Sequence, residues 1–234
     1  MPKDTSEPDV IYYTHYCPPG VHRVIANGTA TFVGEVDDTT VLKYPAEPGG
    51  DLHSLEHEYR IYKHIGPHRR IIAAKNFTKE GLYLERAPNG TVHEYLAEGE
   101  HTVTIQRRVA WVQQLVEAVQ HLHRHNVIHT DLHPGNILLD SALRSSLRIC
   151  SATWSPSRGR QSGSGSEANP VDIVSGEDGW YDMVISRFER GEFPLESHAC
   201  AAIARKCWRG EYSSADEVMA DVTAVDNRCE QAYE

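Results

Sequence analysis

The first third of the chain is written in short apolar runs. Residues 21–25, 31–36 and 40–44 each carry the β-branched and aromatic alternation of a strand. Ala26-Asn27-Gly28-Thr29 and Asp37-Asp38 turn the chain between them. The period then changes. Leu52, Leu55, Tyr59, Tyr62 and Ile65 recur at helical spacing, which predicts a helix over residues 51–65, with Asp51 able to cap it and Gly66-Pro67 to stop it. Residues 71–74 and 81–85 return to strand patterning, and 85–90 form a polar, turn-rich link. Beyond it the pattern is helical. A short helix is expected over 91–97, and a long one through Ile105, Val109, Val112, Leu115, Val116, Val119 and Leu122. Residues 137–139 and 147–150 are strand-like. An Ala-rich helix is expected over 199–208. A last helix carries Val218, Met219, Val222 and Val225, opened by the capping box Ser214-Ala215-Asp216-Glu217. The order predicts an α+β fold of two lobes: five antiparallel strands with one helix over residues 21–86, packed over a mostly helical lobe, 87–234.

Two stretches fall outside that pattern. Residues 1–20 read as a leader, closed by Pro18-Pro19-Gly20. Residues 154–170 are rich in Ser, Gly and Arg and poor in apolar residues, the composition of a disordered linker. The abrupt switch at Ser151 reads as a join between exons or a change of frame. A net charge of −10 disfavours a broad nucleic-acid surface. No apolar run is long enough to span a bilayer, so no membrane role is expected. The five Cys are odd in number and lack a CxxC pair, which argues for free thiols in a reducing compartment, cytoplasmic or nuclear. Cys207, beside Trp208 in a helical pattern, reads as a core residue. The fourteen His are scattered; His121, His123 and His125 alternate along a helix and are read as solvated or capping residues that do not share one face.

The chemistry concentrates in His129-Thr130-Asp131-Leu132-His133-Pro134-Gly135-Asn136, which runs from a long amphipathic helix into an apolar strand. An Asp and an Asn five residues apart on a tight loop suit phosphoryl transfer. This loop resembles the catalytic loop of the protein-kinase superfamily, and its D-L-H-P-G-N wording also resembles the aminoglycoside and choline kinase branch. The resemblance implies a two-lobed protein-kinase-like fold that binds ATP and Mg²⁺ between the lobes. It makes Asp131 the base and Asn136 a metal ligand. His133 stands where protein kinases usually carry Lys or Arg, and it donates to a phosphate only weakly near neutral pH.

Other segments extend the resemblance. Val41-Leu42-Lys43 is similar to the family's V-A-x-K strand, whose Lys meets the phosphates, and Glu58 in Glu58-Tyr59-Arg60-Ile61 is the implied ion-pair partner. On the family's glycine-rich hairpin only Gly28 and Val33 survive, and Asn27-Gly28 reads equally as an ordinary hairpin turn. Glu85 and Ala87 lie in the implied hinge that meets the adenine, with Leu84 behind it. The closing K-C-W and S-A-D-E-V wording resembles compact kinase-like proteins of filamentous fungi. The pattern breaks after Leu147-Arg148-Ile149-Cys150. The resemblance expects D-F-G, and the chain reads Ser151-Ala152-Thr153, so Mg²⁺ binding is expected to be weakened. Three functions follow: a protein kinase or its degenerate derivative acting on protein Ser/Thr, a small-molecule kinase, or a non-enzymatic module that binds a protein partner. Oligomeric state is left open.

Overall fold

The computed structural model describes residues 16–28, 30–98, 102–149, 152–154, 180–193 and 197–231. Most of the stretch read as a leader and of the stretch read as a linker lies outside these residues. At the leader's end, the Tyr44 hydroxyl donates to the Tyr16 carbonyl and the two rings meet edge to face.

Strands β1 (Arg23–Asn27), β2 (Thr31–Asp37), β3 (Thr40–Pro45), β4 (Ala74–Thr78) and β5 (Gly81–Glu85) form one sheet in the order β1-β2-β3-β5-β4, antiparallel throughout. The period-two pattern of β3 decides what faces the cleft. Leu42 and Tyr44 are fully buried, while Val41 and Lys43 line a cavity. Val33 lies opposite Lys43 on β2, and Leu84 opposite Val41 on β5. Gly81 is required where β5 begins. It has a φ of +141°, and a Cβ there would sit 2.2 Å from the Lys43 carbonyl oxygen. The apolar run 71–74 is not the fourth strand. Ile71 and Ile72 are buried instead, and Ile72 N–H donates to the Leu147 carbonyl, so the strand starts only at Ala74.

Helix α1 (His53–Ile65) starts two residues later than Asp51, whose carboxylate accepts from the His53 N–H. It stops at Gly66, where φ is +68°. Its buried stripe is Leu55, Glu58, Ile61, Tyr62 and Ile65, so one carboxylate is carried into an otherwise apolar face. That stripe joins a core spanning both lobes: Leu82 and Leu84 from the sheet, and Ala118, Leu122, Val127, Leu147 and Ile149 from below. Burying each large aliphatic of this set contributes about 1.5–3 kcal/mol.

The helical lobe is built around α3 (Ile105–Arg124). One side of α3 enters the shared core. A second packs Val109 and Val116 on Val222 and Val225 of α6 (Ala215–Gln231) and Ile203 of α5 (Ala201–Trp208). A third sets Trp111 against Val92 of α2 (Val92–Ala97) and Leu139 of β7 (Ile137–Leu139). Helix α4 spans Trp180–Glu189, β6 (Val127–His129) pairs with β9 (Ala152–Trp154), and β7 pairs with β8 (Ser145–Leu147). Cys207 is exposed; Ile203 holds the buried position of α5. The last capping box is offset by one residue. Ser214 accepts from Glu217 N–H, but Glu217 accepts from Ser213 N–H. His121 and His125, four residues apart, do share a face: their rings lie 4.4 Å apart, and His68 stacks on His121 at 4.3 Å. Among the described residues no helix is long and apolar enough to cross a membrane.

Candidate functional site

A cavity of about 220 Å³ opens between the lobes. Its apolar walls are Val33, Val41, Ile72, Leu84, Ala87 and Leu138. Polar groups converge at its edges: Lys43 from β3, Arg148 just after β8, and Glu85 from the strand that becomes the link between lobes. Thr91 and Glu94 fix that link from below. Thr91 Oγ1 accepts from Glu94 N–H at 3.1 Å, and Glu94 Oε2 accepts from Thr91 N–H at 2.8 Å. This reciprocal cap holds α2 at the cavity's lower edge.

Lys43 Nζ donates to Glu58 Oε2 at 2.6 Å. The two side chains are 12% and 6% exposed, so the pair is desolvated. Burial pushes the Glu58 carboxyl above the usual carboxylate range, while Lys43 and Arg148 pull it back down. Glu58 Oε1 is buried without a hydrogen-bond partner among the described residues.

The catalytic-type loop is fixed by two residues. The Asp131 N–H points at His129 Nδ1 (3.2 Å), so Nδ1 accepts and the ring hydrogen sits on Nε2, which donates to the Arg148 carbonyl at 2.9 Å. Burial lowers the His129 pKa, favouring this neutral form. Asn136 is 1% exposed. Its Nδ2 donates to the Asp131 carbonyl and to Asp131 Oδ2, both at 2.9 Å. Its Oδ1 accepts from Arg148 Nη2 at 2.5 Å. The guanidinium is donor-only, which fixes the amide's orientation. His133 is half-exposed. The Gly135 N–H points at its Nδ1, so its Nε2 carries the hydrogen and faces Asp131 Oδ2 at 3.5 Å.

These contacts test the fit of a metal. The amide oxygen that the resemblance gives to Mg²⁺ accepts from a guanidinium, and a divalent cation there meets a like charge. Among the described residues no group of three or more His, Cys, Asp or Glu could hold a metal ion. The described residues do not fit a Mg²⁺ ion in this arrangement.

The structure therefore brings Val33, Lys43, Glu58, Glu85 and Ala87 to or behind one cavity, and ties Asp131, His133 and Asn136 together beside it. Gly28 does not line the cavity; its N–H closes a tight turn onto the Thr31 carbonyl at 2.8 Å. Sequence reasoning missed two positioning groups. His129 carries a signal, the H-x-D spacing. Arg148 carries only a weak one, a cation in a short strand ahead of the missing Asp.

Fold and cleft together define a two-lobed, kinase-like α+β domain. Residues 40–151 match the family described as protein kinase domain. The Aurora/IPL1-related protein kinase 2 of Caenorhabditis elegans is 32% identical over 144 residues, covering 56% of this chain and 44% of that protein. Aurora kinase C of Mus musculus is 32% identical over 119 residues, covering 49% of this chain and 42% of its own. Aurora kinase B of the same organism is 31% identical over 119 residues, covering 49% and 33%. Over residues 40–151 the chain belongs to the protein-kinase superfamily. It spans less than half the length of these curated relatives.

Proposed function

We propose that this chain is a nucleotide-binding, kinase-like module whose phosphotransfer to protein Ser/Thr, the family activity, is very weak. The observation that carries the reading is the desolvated Lys43–Glu58 pair at the edge of an apolar slot. The slot suits a flat base, with the Glu85–Ala87 link beside it. Lys43 supplies a cation for phosphate oxygens, and Glu58 holds its ammonium in place. Asp131 has one carboxylate oxygen anchored by Asn136 and is half-exposed, which suits a base that meets an acceptor hydroxyl. Weak transfer is inferred because Ser151 stands where the resemblance expects the carboxylate that neutralises phosphate charge. Losing one preorganised electrostatic contact commonly costs about two to three decades in rate.

The experiment is a titration with a fluorescent ATP analogue, comparing the wild type with Lys43→Ala. Binding weakened at least tenfold, about 1.4 kcal/mol, is expected in the variant. Equal affinity would remove Lys43 from the site. A parallel assay follows γ-phosphate transfer to a generic protein acceptor; robust turnover that vanishes in Asp131→Asn would refute the weak-transfer reading.

The absent carboxylate also favours a second reading, in which the domain holds its nucleotide or a protein partner without turnover. Full retention of partner binding in Asp131→Asn is its signature.

A further inference from the structure

We infer that Arg148 occupies the place beside the phosphates that a divalent cation would otherwise fill, so that this cleft takes a metal-free nucleotide polyphosphate. The inference rests on the nucleotide reading above and goes beyond it by specifying the ionic form of the ligand.

Three observations carry it. First, Arg148 and Lys43 line the same cavity, so two basic side chains face one space. Arginine stays charged at any pH a folded protein meets, and its planar fork suits phosphate oxygens. Second, Arg148 is incompletely satisfied. Nη2 donates to Asn136 Oδ1 and reaches the Gly135 carbonyl at 3.4 Å, but Nε is buried with no hydrogen-bond partner among the described residues. Buried donors are seldom left unpaired, because the lost hydration is not replaced. The guanidinium thus has more donors than its own loop satisfies, and its side chain lies on the cavity lining where phosphate oxygens would enter. Third, the other cations of the lining already have carboxylates: Arg23 and Arg86 both reach Glu35, and Lys43 is held by Glu58. Arg148 has no carboxylate at ion-pair distance among the described residues, so it is the lining cation left to meet a polyphosphate's negative charge. A polyphosphate already half-neutralised by a dication would bring that dication against Arg148.

Asn136 belongs to the same device. Its oxygen steadies the guanidinium and its nitrogen steadies Asp131, so one buried amide couples the cation to the base.

The test uses the full chain and a ribose-labelled fluorescent ATP analogue, titrated in excess EDTA and again in excess Mg²⁺. Binding in EDTA is expected to equal or exceed binding in Mg²⁺. Arg148→Met should weaken the EDTA titration about tenfold or more, the loss of one charge-assisted contact, while adenosine binds as in the wild type. Arg148→Lys, which keeps a cation in place, should lose less and serves as the readout if the Met variant does not fold. Binding that requires Mg²⁺, or an Arg148 variant that folds and binds in EDTA like the wild type, overturns this inference and leaves the nucleotide reading standing. If the wild type binds neither the analogue in either buffer nor adenosine, the nucleotide reading falls and this inference falls with it.

Discussion

Lys43 and Arg148 line one cavity, yet each cation is held by a different kind of partner. Lys43 is matched by a full carboxylate 2.6 Å away, and both side chains are withdrawn from water. Arg148 is held by a neutral amide oxygen and, more weakly, by a carbonyl. The upper wall is thus close to electroneutral, while Arg148, whose charge is felt by Glu58, has no carboxylate of its own at ion-pair distance among the described residues. The difference follows from where each carboxylate falls in the sequence. Glu58 sits on the apolar stripe of α1 and is carried to the sheet by helical periodicity. In the sequence after Arg148, Cys150-Ser151-Ala152-Thr153 brings no carboxylate. A lone dipole can orient a guanidinium but leaves its charge available to a ligand.

The comparison breaks most visibly if the upper pair is cut. Glu58→Ala leaves the Lys43 ammonium buried and unpaired, and should cost about 3–5 kcal/mol of stability by urea unfolding. A loss under about 1 kcal/mol would mean that the pair is screened by water and that the walls do not differ as described. The double change Lys43→Met with Glu58→Leu should recover much of the loss, since an apolar pair of similar volume often replaces a buried ion pair without penalty. On the lower wall, Asn136→Ala should cost less, about 1–3 kcal/mol, because it strips the bonds of an uncharged amide and leaves Arg148 short of an acceptor without stranding a buried ion-pair partner. In Arg148→Met the same Asn136→Ala change should cost less still. Additive losses would show that the two side chains are not coupled.

The two walls were not equally legible in the sequence. The resemblance named Lys43 and Glu58 as partners, and the strand period of β3 and the helical period of α1 are the physical reason that they meet. What either binds does not follow from periodicity. The lower wall could not be read that way. Arg148 alternates normally between Leu147 and Ile149, and where its guanidinium reaches depends on an amide twelve residues earlier. The apolar run at 71–74 misled for a related reason. Ile71 and Ile72 lie against β8, where Ile71 forms an isolated parallel bridge to Leu147, and do not join the five-stranded sheet; strand propensity does not say which partner a run will take. That α6 packs directly on the flank of α3 was likewise hidden. Its apolar positions mark a buried face but name no partner.

A smaller effect, driven by pH, sets the desolvated histidines against the Lys43–Glu58 pair. Burial lowers the pKa values of His68, His121, His123 and His129 below 6.5. The unfolded chain therefore binds more protons than the folded one as pH falls below about 6.5, so stability is full above that value and declines beneath it. Glu58 acts with the opposite sign. Raised above 4.5, it binds its proton more readily when folded, so its term is most favourable in acid and is lost as pH rises. With four groups against one, the melting midpoint should fall between pH 6.5 and about 5.5. His121→Gln, which still donates to the Ile65 carbonyl, should flatten part of that slope. A midpoint that rises with acid would mean that Glu58 dominates and that the upper wall, not the desolvated histidines, governs the response.

The smallest effect is expected at His133, and it tests whether the lower wall depends on that ring. His133 is half-exposed, so removing it uncovers little apolar surface. Its Nδ1 accepts from the Gly135 N–H, which leaves a hydrogen on Nε2. The short 2.8 Å approach of Asn136 Nδ2 to Nε2 therefore sets two donors side by side and adds no bond. The two amide hydrogens already have acceptors in the Asp131 carbonyl and Oδ2. His133→Ala should thus change stability by no more than about 0.5 kcal/mol, as exposed substitutions usually do, and should leave nucleotide binding in EDTA unchanged. His133→Arg adds a cation at the loop, and if the lower wall already carries its charge through Arg148, it too should alter EDTA binding little. A large gain in affinity from His133→Arg would show that the lower wall was short of positive charge, and the contrast drawn between its two cations would have to be abandoned.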